Sequence, residues 1–386
     1  MLTGNVYITQ EQKNKGASVS IFEFMTPVQF AAWFIAQSTY DLTTIISAAI
    51  GSGAGEIRFV AGTYAAKQIV MKYGVSLRGA SEMLCALQAL ASANAGFIIN
   101  NTGVVGGANI SGFRIYGAAT VGGVPVNPTQ YAILMKSNDA IGTQGGWWYS
   151  NLRDLFVYDF NYGIKMEGGT AVSDLHPIQF IKMEGVKVFK SPYAHLQGDG
   201  GRALVMSGQV DQVTGSACEF DGDSVGSPYK GTNIEFIAPV AAGGAPSNIT
   251  FDQQTTIQWA DQAVLWGTWI GDITFENCWI EGCRQTFTIG SFSNHVNIKG
   301  CRLANAGNGA GGGGVAGAGY IVSVAQASSV TFEGNTIAGA YDKVVSCAGN
   351  NAARIAQRDN YFPDIAGTDN NDTKTTGNTS ISSEAG

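Results

Sequence analysis

The sequence predicts an all-β solenoid, a rod of stacked coils, on three observations. The first is a repeat between Ile249 and Ile355. Ser247 to Phe251 reads Ser-Asn-Ile-Thr-Phe and Gly271 to Phe275 reads Gly-Asp-Ile-Thr-Phe. His-Val-Asn-Ile at His295 to Ile298 and Ser-Val-Thr-Phe at Ser329 to Phe332 continue it. The leading apolar residues Ile249, Ile273, Val296, Val330 and Ile355 are spaced by 24, 23, 34 and 25 residues. A period near two dozen residues, with short strands in each period, marks a solenoid. The second observation is composition. Charged residues make up 13% and hydrophobic ones 45%, with 52 glycines and 9 prolines. Low charge with abundant glycine suits long core ladders and tight turns, and aromatic and β-branched residues are too common for a disordered chain. The third is that Cys278 and Cys301 hold the same place after Ile273 and Val296, which predicts stacked thiols in a buried ladder.

A chain of 386 residues is long enough for two ordinary domains, but a regular array runs as one unit. The net charge of −7 argues against nucleic acid as a partner, because little would neutralise phosphates. No apolar run is long enough to span a bilayer, so no membrane insertion is expected. Met1 is not followed by a basic segment and an apolar stretch, so export would go by lysis or attachment to a larger particle. The six cysteines, Cys85, Cys218, Cys278, Cys283, Cys301 and Cys347, are too sparse for a disulfide scaffold. Without CxxC or His-rich spacing no metal site is predicted. Val104-Val105-Gly106-Gly107 and the run Gly311 to Gly314 lack the Lys-Ser/Thr of a phosphate cradle, so no cofactor is expected.

In chain order, residues 1–20 are largely polar and read as an arm or a docking segment for a partner. Residues 21–66 read as a helical cap with entry strands. Thr26-Pro27 supplies an N-cap and a first-turn proline, and Phe30, Ala31, Trp33 and Phe34 are spaced as a buried stripe. A second helix starts at Asp41, puts Leu42, Ile45, Ile46 and Ala49 on one face, and stops at Gly51 and Gly53. Such a cap covers the first core layer of a solenoid. Glu56 to Val60 and Val75 to Gly79 then read as strands.

Asp41-x-Thr-Thr-Ile-Ile-x-Ala-Ala, Phe59-Val-Ala-Gly-Thr-Tyr64 and Gly74-Val-Ser-Leu-Arg-Gly79 together resemble the opening of the pectate-lyase-like right-handed β-helix superfamily. Val19-Ser-Ile-Phe-Glu-Phe-Met25 is similar to the segment that enters the helix in bacteriophage tailspikes. The resemblance spans residues 17 to 81 in motif detail and the rest by repeat pattern. It implies a single-stranded right-handed parallel β-helix with a short N-terminal helical cap. It also implies a polysaccharide depolymerase in the virion, attached to the phage tail or baseplate through the N-terminal arm. The bound partner would be a bacterial surface polysaccharide and the assembly a homotrimer.

Residues 67–362 form the predicted β-helix. Ile110 to Ile115 and Leu152 to Val157 read as corresponding strands, with an excursion from Ala118 to Gly146 between them. Ile181 to Val188 is the next strand pair. The 34-residue interval is explained by the glycine-rich insertion from Ala306 to Gly319. About ten coils at ~4.8 Å each give a rod of about 50 Å. Ser191 to Gly244 fits the period poorly and is expected to protrude, as loops do on the binding face of a solenoid. Residues 363–386 are polar and cannot form a core.

Candidate chemistry concentrates in that irregular stretch. Cys218-Glu-Phe-Asp-Gly-Asp223 is the densest carboxylate group. As a strand it would set Glu219 and Asp221 on one face, about 6.5–7 Å apart, with Cys218 and Phe220 turned inward. Glu219, Asp221 and Asp223 are thus the candidate acid and base of glycoside hydrolysis, near the spacing of inverting glycosidases. A solvated acidic turn or a bound cation is the alternative. His195, Asp199 and Arg202, in a glycine-rich loop, suit β-elimination from a uronic acid, with Arg202 neutralising the carboxylate. An ordinary turn with a surface ion pair is the alternative there. Tyr229, Trp147, Trp148, Trp259, Trp266 and Trp269 are candidate sugar platforms, with core packing as the competing role. Glu281 stands close enough to Arg284 to pair with it.

Overall fold

The computed structural model describes residues 17–100, 104–118, 120–121, 124–125, 129–137, 146–169, 177–190, 200–222, 231–238, 244–305, 319–325, 328–338, 345–347, 354–361 and 380–383. Two parallel sheets carry the fold, one of 21 strands and one of ten. A regular coil contributes two strands to the first and one to the second. Ser247–Asp252, Thr256–Gln258 and Gln262–Trp266 make one coil, and Gly271–Glu276, Trp279–Glu281 and Gln285–Ile289 the next. The repeat read from the sequence is the register itself: Ile249, Ile273, Val296, Val330 and Ile355 are successive partners. Ile110 and Leu152 pair as expected. The ten-stranded sheet, with one strand per coil, matches the predicted number of coils.

Why the chain turns where it does is visible at the corner between the first two strands of a coil. Residues there adopt the left-handed conformation, among them Gly112 (72°), Asp154 (50°), Gly185 (63°), Ala217 (49°), Asn277 (55°) and Gly300 (60°). Glycine, Asn and Asp tolerate this region best. Inside the corner a hydrogen-bond ladder satisfies carbonyls that the bend takes out of the sheet. Cys218 Sγ donates to Met183 O (3.8 Å), Thr255 Oγ1 to Gly215 O (3.5 Å), Cys278 Sγ to Phe251 O (3.4 Å) and Cys301 Sγ to Phe275 O (3.5 Å). Asn335 Nδ2 and Asn360 Nδ2 continue it, each at 3.0 Å. The predicted thiol stack therefore exists as part of this ladder. Cys85, Cys218, Cys278, Cys283 and Cys301 are all free and buried.

The core is an aliphatic and phenyl stack. Phe251 and Phe275 stack at 5.1 Å, and Phe275 meets Phe287 at 5.5 Å and Trp266 at 5.8 Å. At the N-terminal end, α1 (Pro27–Ile35) has Thr26 as N-cap and Gln29 closing a capping box. Helix α2 (Thr43–Gly51) buries Ile45, Ile46, Ala49 and Ile50, and the Thr43 backbone donates to Asp41 Oδ1 at 2.9 Å. The stripe expected on α1 is narrower than predicted. Trp33 is buried, whereas Phe30 and Phe34 are 41% and 66% exposed, because one turn of α1 is enough to cover Tyr64 and Phe22.

One expectation about irregular regions is corrected. Much of Ser191 to Gly244 is regular: Arg202–Ser207, Val210–Ser216, Glu219–Asp221 and Thr232–Ile237 all join the ladders. Residues 191–199, 223–230 and 239–243 lie outside the described residues. Within the polar tail, Ser380–Ser383 forms a strand paired with Arg354–Arg358, Ile381 opposite Ile355. Ladder pairing uses backbone groups, so polar side chains do not prevent it. Of the arm read at 1–20, residues 1–16 are outside the described residues, as is most of the glycine-rich insertion, while Ser18–Ser20 is a strand paired with Glu56–Arg58.

Candidate active site

The strand Glu219–Asp221 runs beside Ile178–Lys190 on one side and Thr256–Gln258 on the other. Lys187 is opposite Glu219 and Phe189 opposite Asp221; on the far side the partners are Thr256 and Gln258. Phe220 points into the core, fully buried, so strand alternation sends both carboxylates to the outer face. Successive coils extend this face as a file. Arg114, Phe156, Lys187, Glu219, Thr256, Trp279 and Arg302 follow one another in register. A parallel file carries Phe189, Asp221, Gln258 and Glu281.

The two carboxylates share one donor. Gln258 Nε2 donates to Glu219 Oε1 and to Asp221 Oδ2, each at 3.3 Å. Those two oxygens are therefore no more than about 6.6 Å apart, which is compatible with the carboxyl spacing of a retaining or of an inverting glycosidase. Their environments differ. Asp221 is 5% exposed, and its Oδ1 is buried with no hydrogen-bond partner among the described residues. Burial pushes its carboxyl up to about 7; Glu219 adds to the rise, while Gln258 and Lys190 oppose it. Glu219 is half-buried; burial raises it too, and the Lys187 ammonium pulls it back. Lys190 is itself buried, with Nζ donating to Gly200 O at 3.4 Å. Gly222 follows Asp221 because the Trp259 carbonyl packs where a Cβ would stand.

An aromatic cluster adjoins the pair. Phe156 lies 5.1 Å from Phe189 and 6.0 Å from Tyr158, and Tyr158 meets Tyr116 edge-on at 6.1 Å. On the opposite side Trp279, 39% exposed, carries the Arg302 guanidinium 4.5 Å above its ring. Sequence reasoning missed Gln258, Lys187, Phe156 and Phe189 as neighbours of the pair, and offered Trp279 as one of seven candidate tryptophans without placing it there. The available signal was coil register, obscured by loops of unequal length.

The predicted sugar platforms divide. Trp147 is fully buried with Nε1 donating to Ser150 Oγ at 2.8 Å, and Trp266 is 2% exposed among Phe236, Phe275 and Phe287. Neither can meet a glycan, because each occupies an inward position of its strand. Trp148 is half-buried and donates to Pro177 O at 2.6 Å. Trp259 is half-buried over Gly282, in the turn directly after Gln258. Trp269 is 63% exposed and stacks on Phe292 at 4.4 Å. Arg202 lies in the ten-stranded sheet, where Nε donates to Glu235 Oε2 at 2.6 Å. Arg284 pairs with Asp261 through two contacts of 2.5 and 3.0 Å, not with Glu281. His195, Asp199, Asp223 and Tyr229 lie outside the described residues. A separate cleft of about 350 Å³ nearer the cap is lined by Glu56, Arg78, Arg153, Lys182 and Glu184; Arg78 there pairs with Glu56 and Lys182 with Glu184. Among the described residues no group of three or more His, Cys, Asp or Glu side chains is placed to hold a metal. No helix among them is long and apolar enough to cross a membrane.

No protein-family model and no curated sequence matches the chain. Solved structures do. A tailspike protein variant of E. coli bacteriophage HK620 superposes with a TM-score of 0.56 at 11% identity, over 94% of this chain and 64% of its own. The fold is a right-handed parallel β-helix. The polygalacturonase from Erwinia carotovora ssp. carotovora shares it, with a TM-score of 0.51 at 10% identity over 96% of this chain and 97% of that one. So does tailspike gp49 from Acinetobacter baumannii bacteriophage Fri1, described as a capsular polysaccharide depolymerase, with a TM-score of 0.51 at 12% identity over 90% and 58%. This chain thus spans less than two thirds of either tailspike chain. At such identities the likeness is one of fold.

Proposed function

We propose that the protein binds and cleaves a bacterial surface polysaccharide, capsule or lipopolysaccharide, by hydrolysing a glycosidic bond at Glu219 and Asp221. The observation that carries this reading is the pair itself: two carboxylates bridged by Gln258 on the outer side of one strand, Asp221 nearly buried and Glu219 half-buried. Carboxylates set apart in this way divide into acid and base. Asp221, held up to about 7, keeps a proton near neutral pH and would donate it to the leaving oxygen. Glu219, beside the Lys187 ammonium, would act as nucleophile or base. The aromatic cluster around Phe156 and Phe189 would hold sugar rings on one side and Trp279 on the other.

The alternative of β-elimination at His195 and Arg202 is weakened by the commitment of Arg202 to Glu235. The likeness of fold to tailspikes supports placing the protein in a phage tail, attached through its N-terminal segment and assembled as a homotrimer. The exposed apolar side chains Val28, Phe34 and Ile35 on α1, at the cap end, suit such a contact.

The test incubates the protein with purified bacterial capsular and O-antigen polysaccharides and follows chain length and ultraviolet absorbance. Shortening without new absorbance supports hydrolysis; shortening with it indicates elimination and an unsaturated end. Glu219→Gln and Asp221→Asn should each abolish cleavage while preserving binding. Full activity in both variants excludes the pair, and binding without shortening in the wild type identifies an adhesin.

A further inference from the structure

We infer that the glycan taken by this face is acidic, and that Arg114 and Arg302 grip sugar carboxylates on either side of the cleavage point. This rests on the placement of the site at Glu219 and Asp221. Both arginines belong to the file that contains Glu219. Arg114 precedes it by three coils, through Phe156 and Lys187. Arg302 follows it by three, through Thr256 and Trp279. At the strand spacing of a sheet each is about 14 Å from Glu219 along the rod.

Both guanidiniums are held by neutral groups. Arg114 lies 5.9 Å over Phe156 and 5.8 Å over Tyr116, with Nη1 donating to Tyr116 Oη at 2.8 Å and Nη2 against Met83 Sδ at 3.5 Å. Arg302 lies 4.5 Å over Trp279. Neither has a carboxylate within ion-pair distance among the described residues. Arg78, Arg153, Arg202 and Arg284 each have one, whereas Arg58 also has none among the described residues but lies outside this file. In a chain of net charge −7, these two cations without acidic partners stand on the line of the candidate catalytic pair, where a substrate anion can reach them. A guanidinium held over a ring keeps N–H groups that the ring does not use, and these can still meet a carboxylate. The adjacent ring offers the apolar surface against which the same sugar packs. Arg114 and Arg302 are thus substrate-binding residues, and the sugars they select carry carboxylates.

The experiment is affinity electrophoresis of the full chain carrying Asp221→Asn, which keeps the polymer intact. The gels contain polygalacturonate, alginate or hyaluronate, the carboxyl-reduced form of each, dextran sulfate, or neutral dextran. The expected result is retardation by at least one carboxylated polymer and none by its reduced form. Arg114→Gln and Arg302→Gln should each weaken binding about tenfold, with circular dichroism unchanged. Arg302→Lys should recover part of the loss, since charge returns without the fork. Retardation by the reduced polymers or by dextran, by dextran sulfate alone, or by none of the gels overturns the inference. So does unchanged binding in the Arg114→Gln/Arg302→Gln double variant. Binding of a carboxylated polymer that the wild type never shortens would sink the hydrolase reading and leave this one standing. Cleavage confined to neutral polymers would do the reverse.

Discussion

Gln258 stands one coil on from Asp221 and offers its amide to Asp221 Oδ2 at 3.3 Å. The same nitrogen lies 3.3 Å from Glu219 Oε1, so one side chain both spaces the carboxylates and tempers the protonation of Asp221. Gln258→Leu removes a donor to the ionised form, and the carboxyl of Asp221 rises further. With Asp221 as general acid, the alkaline limb of kcat/KM, where that proton is lost, moves to higher pH. Profiles of the two proteins on one polysaccharide check this. An unmoved alkaline limb would remove Asp221 from the acid role.

Asp221 also links stability to pH. Its carboxyl is raised in the folded chain, to about 7 from an ordinary 3.8. The fold therefore favours the protonated form. That contribution is complete below the unfolded value and is lost as pH rises through the folded one. Asp221→Asn cannot ionise. It should melt above the wild type at pH ~8, by up to about 4 kcal/mol of stability, and the gap should close toward pH ~4. Thermal melts across this range provide the measurement, and a constant gap would contradict it.

Gly222→Ala places a methyl group on the Trp259 carbonyl. The turn bearing Trp259 must shift, at a cost of about 1–3 kcal/mol. Since this turn borders both Asp221 and Gln258, the midpoint of denaturation should fall and cleavage should slow together. Gly53→Ala, whose methyl meets nothing within 4 Å although its backbone is left-handed (79°), is the comparison for strain without displacement.

Phe275 touches Phe251, Phe287 and Trp266 across three strands. Phe275→Ala should cost about 3–5 kcal/mol, read by denaturant titration. Trp269→Ala, at an exposed ring stacked on Phe292, should change stability far less. Equal losses would mean that Trp269 is covered in solution.

The rod was legible because its signal is periodic and local: each leading apolar residue from Ile249 to Ile355 pairs with the next. The inward turn of Phe220 and the shared face of Glu219 and Asp221 followed from alternation alone. What surrounds that pair did not. Asp221 and Gln258 are register partners 37 residues apart, whereas Gln258 and Glu281 are 23 apart. Unequal loops hide which coil neighbours which. Trp147 and Trp148 are adjacent in one strand, so a shared exposed platform conflicts with strand alternation, and the inward member is Trp147. Arg284 chose Asp261 because the two hold the same place on successive coils, just before the register partners Gln262 and Gln285, while Glu281 is near only along the chain.

The corner ladder gives the molecule an internal set of gauges. Its thiols are buried, and burial pushes Cys218 up to about 12, so a reagent reaches each one only when its coil opens. Cys85 lies close to the cap, Cys218 next to the carboxylate pair, and Cys278 and Cys301 further along. The rate at which a disulfide reagent reaches each one would report opening at that station of the rod. Because each coil rests only on its neighbours, the order of labelling would show from which end the rod unwinds.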